Sequence, residues 1–123
     1  CEYCVEHHFQ GMRRLVADDA RSDALRRTIE ADAVETAPLD TRQIAGMIYA
    51  CKLTVDPAGM VEADVAALRA AGLKDGEILE INQVTAYFCY ANRTVLGLGV
   101  NTDGDIIGLS PNNSDDPEDW GHR

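Results

Sequence analysis

Apolar residues in this chain recur at steps of three and four and nowhere alternate for long, a spacing that admits helices and excludes a sheet as the main architecture. From Cys1 to about Val16, the residues Cys1, Cys4, Val5, His8, Phe9, Met12, Leu15 and Val16 form one stripe of an amphipathic helix. In "DDARSDALRRTIEADAVE", Leu25 and Ile29 stand at i and i+4 among many charges, and Ser22 or Asp23 is placed to cap a short, solvated helix. "APLDTRQIAGMIYACKLTVDPAG" predicts a largely buried helix carrying Ile44, Met47, Ile48, Cys51 and Val55. Asp40 or Thr41 starts it and Pro57 ends it, because proline cannot continue a helix.

The next stretch, "VEADVAALRAAGLKDGEILEI", reads as a helical hairpin. A short helix bears Val65 and Leu68, Gly72 stops it in a left-handed conformation, Leu73 anchors the turn, and a new helix starts at Asp75. The second helix, "DGEILEINQVTAYFCYANRTVLGLGV", is apolar nearly all round, broken only by Asn82, Gln83, Asn92 and Arg93, which predicts a position central to the fold or in an interface. From about residue 100 the chain turns to Gly, Asn, Asp, Ser and Pro without a period, the pattern of an irregular tail. Its acidic run Asp115, Asp116, Glu118 and Asp119 reads as solvated, and Trp120 as the point at which the tail docks on something apolar. The class is all-α, a helical bundle in one domain spanning 1–123, since 123 residues suffice for one core and not for two.

Charge narrows the partners. With 21 acidic and 11 basic residues the formal net charge is -10, which repels phosphate backbones and anionic membranes. The hairpin is therefore a packing device rather than a DNA reader, and neither a nucleic-acid nor a membrane partner is expected. No apolar run approaches the roughly 18 residues of a membrane-spanning helix. The start "CEYCVEHH" lacks the basic and apolar regions of a signal peptide, so a cytoplasmic location is the expectation.

Four cysteines in such a chain favour thiol chemistry or simple burial over a disulfide framework. Cys51 and Cys89 stand alone within apolar patterns and read as small hydrophobes. Cys1, Cys4 and His8 instead share one helical face, with Cys4 and His8 at i and i+4. A nucleophile, a base and a resolving thiol are thereby aligned, and a helix N-terminus beside an imidazole favours the reactive thiolate. A structural zinc half-site or two buried thiols are the alternatives. Zinc held wholly by Cys1, Cys4, His7 and His8 is hard to close, because His7 points about 100° away from His8 on a helix. Heme attachment requires His directly after the second cysteine, where Val5 stands. His7 reads as a surface or supporting group and His122 as inert; no cofactor is expected.

On these residues the chain resembles the alkylhydroperoxidase D-like group of the carboxymuconolactone decarboxylase superfamily, nearest to its uncharacterised peroxidase-related branch. The likeness rests on "CEYCVEHH", and extends through "KLTVDPAGMVEADVAALRAAGLKDGEILEI", "AYFCYANRTVLGLGV" and "SPNNSDDPEDWGHR", nearly the whole chain. It implies an all-α bundle of the alkylhydroperoxidase D-like type that forms homo-oligomers. It also implies a thiol-dependent peroxidase-like oxidoreductase with antioxidant activity, in which Cys4 attacks a hydroperoxide, Cys1 resolves it to a redox-active disulfide, His8 relays the proton and a dithiol reduces the pair. A relay glutamate precedes the first cysteine in that family, so the resemblance implies a preceding N-terminal segment. Val61 and Lys74 stand where capping residues are usual, which predicts frayed helix starts there. The alternatives are a lactone- or carboxylate-handling reaction in the same superfamily pocket, and a non-catalytic oligomeric scaffold with zinc at Cys1, Cys4, His8 and a fourth ligand from elsewhere.

Overall fold

The computed structural model describes residues 1–105, 107 and 108. Every regular element among them is helical: α1 (Glu2–Val16), α2 (Asp19–Glu30), α3 (Thr41–Val55), α4 (Glu62–Ala70) and α5 (Asp75–Gly97), with 3₁₀ turns at Val34–Thr36 and Pro57–Gly59. The all-α class is as the apolar spacing requires. No described helix is long and apolar enough to cross a membrane. The described residues divide into two compact units, one of residues 1–26 together with those described from 92 onward, the other of residues 27–91.

In the first unit, α1 ends on Ala17 in the left-handed conformation at φ 50°. Asp18 then opens α2 by accepting the Arg21 N–H on Oδ1 at 3.0 Å. This corrects the cap expected at Ser22 or Asp23. Ser22 lies a turn inside α2, fully buried, and its hydroxyl donates to the Asp18 carbonyl at 2.8 Å, which satisfies it without ending the helix. Arg26 ties α2 to α1: its guanidinium is bidentate to the Glu6 carboxylate and lies 4.7 Å over the Phe9 ring. That hydrogen-bonded cation holds the Glu6 carboxyl below its usual range.

The second unit holds the main core. Tyr49, Leu68, Leu73 and Ile78 are buried together, with Ala45, Leu53, Met60, Val65, Ala71 and Ile81 packed against them. Asp40 caps α3 in a capping box with Gln43: Asp40 Oδ1 accepts the Gln43 N–H at 2.8 Å and Gln43 Oε1 accepts the Asp40 N–H at 3.1 Å. The inward face of α3 is Ala45, Tyr49 and Leu53, not the stripe of Ile44, Met47, Ile48, Cys51 and Val55. In that stripe Ile48, Cys51 and Val55 are exposed, so the largely buried helix expected there is corrected. Gly46 is buried beside that face, where a Cβ would make a tight 3.2 Å contact with the Ile81 side chain of α5.

Between α4 and α5 the hairpin forms as the sequence predicts. Gly72 adopts φ +91°, its N–H donates to Arg69 O at 2.9 Å, and the Leu73 N–H donates to Leu68 O at 3.1 Å, the paired bonds of a Schellman stop. The frayed starts expected at Val61 and Lys74 are not seen. Asp64 reaches back to accept the Val61 N–H at 2.8 Å, and Glu77 accepts the Lys74 N–H at 2.8 Å, so acids in the first turn replace the missing capping side chains. The central position expected for α5 is also corrected for the chain by itself. Only Ile78 of α5 is buried, while Leu79, Val84, Tyr87, Tyr90 and Leu96 stand exposed.

Candidate thiol site on the first helix

The site begins where α1 begins. Cys1 is the N-cap residue of α1, its carbonyl accepts the Val5 N–H at 3.0 Å, and its side chain makes no capping bond, leaving the thiol free for other contacts. One turn on, Cys4 brings its Sγ to 2.8 Å from Cys1 Sγ. Both cysteines are free thiols and half-buried. Sulfur proximity of this kind is what helical i, i+3 spacing makes available, and it is the geometry from which a pair exchanges two hydrogens for a bond.

The two histidines separate in an order that periodicity does not reveal. His8 follows Cys4 by one turn and is exposed. His7, read from the sequence as a surface or supporting group, is the more enclosed: its ring stacks on Tyr3 with centroids 4.4 Å apart. Its Nε2 lies within ion-pair reach of Asp105 Oδ2 at 3.3 Å, though out of line for a hydrogen bond. The Gly108 N–H donates to His7 Nδ1 at 3.4 Å. The Arg14 guanidinium adds a bond to Gly108 O at 3.1 Å, so the segment after α5 is fastened along α1. Burial, and then the Asp105 carboxylate that accepts from its hydroxyl, push the Tyr3 phenol above its usual range.

Cys1 and Cys4 are thus brought together, and His8 stays one helical turn away on the same helix. Tyr3, Asp105 and Gly108 were missed by sequence reasoning, and His7 was read only as a surface or supporting group. The i, i+4 spacing of Tyr3 and His7 was the one local signal; Asp105 and Gly108 reach the helix from about a hundred residues away and leave none. Cys51 is exposed and Cys89 Sγ lies 3.8 Å from Thr54 Oγ1 in the second unit. Among the described residues no three His, Cys, Asp or Glu groups are placed to hold a metal ion. The features expected of Asp115, Asp116, Glu118, Asp119, Trp120 and His122 lie outside the described residues.

No family model matches the chain, and no curated protein matches it. The described residues form an all-helical fold with a half-buried dithiol at the start of the first helix.

Proposed function

We propose that the chain is a thiol-dependent, peroxidase-like oxidoreductase of the alkylhydroperoxidase D-like kind. The observation that carries this reading is the 2.8 Å separation of the Cys1 and Cys4 sulfurs at a helix N-terminus. In the cycle, His8 takes the Cys4 proton. The thiolate attacks one oxygen of a hydroperoxide, the O–O bond breaks, and the alcohol leaves as Cys4 becomes a sulfenic acid. Cys1 then attacks the Cys4 sulfur, water leaves, and a disulfide remains. A dithiol returns two electrons and two protons to the pair.

The same resemblance carries the finer reading of the fold as an alkylhydroperoxidase D-like bundle assembled into a homo-oligomer, working in the cytoplasm. Exposed Tyr87, Tyr90 and Leu79 on α5, with Ile48 and Val55 on α3, supply apolar surface consistent with assembly. The charge of -10 supports partners other than nucleic acid and membrane.

The test follows thiol loss with hydrogen peroxide and with an organic hydroperoxide across pH, in wild type, Cys4→Ser and His8→Ala, with the product mapped by mass spectrometry. Fast loss that ends in a Cys1 to Cys4 disulfide, abolished by Cys4→Ser and slowed by His8→Ala, is the expected result. Full peroxide turnover in Cys4→Ser overturns the reading, and activity that survives alkylation of both thiols moves it to lactone or carboxylate chemistry.

A further inference from the structure

A cavity of about 300 Å³ opens beside the dithiol, and Cys1 lines it while Cys4 does not. Tyr3, Leu96 and Val100 contribute apolar wall, and the charged side chains among the described lining residues, Glu2 and Asp103, are both acidic. That volume is at the small end for ligand sites and suits a molecule of a few heavy atoms or the tip of a longer one. A hydroperoxide needs little room to meet a half-buried sulfur. A thiol that must line up with a disulfide needs an open approach to one particular sulfur, because exchange depends on which sulfur is accessible.

We propose that this cavity admits the reducing thiol, that it attacks the Cys1 sulfur, and that the acidic rim selects cationic or uncharged thiols over anionic ones. The inference rests on the redox reading above and adds to it the direction of reduction and the class of reductant. In the step, the reductant's thiolate bonds to Cys1 Sγ, the Cys1 to Cys4 bond breaks, and the electron pair leaves on Cys4 Sγ. Cys4 is released as thiolate, the form in which it attacks the next hydroperoxide. A second thiol of the reductant then attacks the mixed disulfide, freeing Cys1 and leaving the reductant oxidised. Glu2 and Asp103 repel an incoming carboxylate or sulfonate and attract an ammonium, an effect that salt weakens.

The test uses the chain with Cys51→Ser and Cys89→Ser, so that only this pair reports, oxidised with diamide rather than peroxide. Cysteamine, 2-mercaptoethanol and 2-mercaptoethanesulfonate are added in turn, each rate is normalised to that thiol's rate with a small uncharged disulfide, and the trapped adduct is mapped by mass spectrometry. The adduct is expected on Cys1, with the cationic thiol favoured over the anionic by about tenfold, a gap that narrows in salt and in Asp103→Asn. Adducts mainly on Cys4, equal normalised rates for the three thiols, or a pair that diamide does not oxidise overturn the proposal. Because no step uses a hydroperoxide, a pair that exchanges as described but ignores peroxide sinks the peroxidase reading alone.

Discussion

The Asn82 side-chain amide donates to the Tyr49 hydroxyl at 2.8 Å, joining α5 to α3 at the edge of the main core. Tyr49 is buried, so its hydroxyl depends on this bond, whereas Asn82 is half-buried and regains water when the partner is lost. Tyr49→Phe is expected to cost about 1 kcal/mol and Leu68→Ala, at a residue 1% exposed, about 2–5 kcal/mol. Urea unfolding checks both, and a double-mutant cycle with Asn82→Ala isolates the bond; additive losses would show that the two groups do not interact.

Acid should loosen the hairpin. Asp64 accepts from Lys52 Nζ and from the Val61 N–H, and Glu77 accepts from the Lys74 N–H and from Arg42. The Lys52 bond is the chief reason the Asp64 carboxyl is held low, and the Lys74 N–H the chief reason for Glu77. Both folded values lie below the unfolded ones. The stabilisation is thus present above the unfolded-chain values, near pH 4, and lost as pH falls through the folded values. The urea midpoint of wild type is expected to fall from pH 6 to pH 3 by more than that of Asp64→Asn, and an equal fall in both would refute the assignment.

Gly108 fastens the segment after α5 to α1. It sits at φ +83°, and a Cβ there would meet Gln10 Cβ at 2.6 Å and the Gln10 backbone at 3.3 Å. Backbone on one side and a left-handed conformation on the other leave Gly108→Ala little room to adjust. The variant is expected to lose the bonds to His7 and Arg14, shifting the His7 imidazole resonances while the Tyr49 core signals stay in place. Unchanged His7 resonances would count against this docking.

Exposure does not make Cys51 a fast thiol. Partial burial of its sulfur, followed by the charges of Asp32 and Glu35, pushes the thiol above its usual range, so little thiolate forms at neutral pH. Alkylation by iodoacetamide is expected to be slower at Cys51 than at a free thiol at pH 7.5, and to quicken in a variant combining Asp32→Asn and Glu35→Gln. A rate equal to the free thiol's would overturn this.

Most of the helical map was legible because its signals are local. Asp40, Gly72 and Leu73 act through bonds spanning a few residues and Pro57 through the N–H it lacks, and the start and stops they predict are those that form. The dithiol was legible for the same reason, since i, i+3 spacing alone brings two side chains of one helix together. Ser22 was misread because a serine carries the same capping signal whether it starts a helix or bonds back within one, and Asp18 had already taken the start.

By itself, the sequence determined the helical class of the described residues, their stops and hairpin, and two thiols on one helical face, all consequences of hydrogen bonding and spacing within a turn or two. Tertiary structure decided which of two apolar faces of α3 is inside, because Tyr49 is buried only when Leu68, Leu73 and Ile78 arrive beside it from the α4–α5 hairpin. It also decided that His7 rather than His8 is enclosed, because Asp105 and Gly108 approach from the far end of the chain. And it decided that Cys1 faces a cavity, since Leu96 and Val100 supply walls that no local pattern around Cys1 encodes.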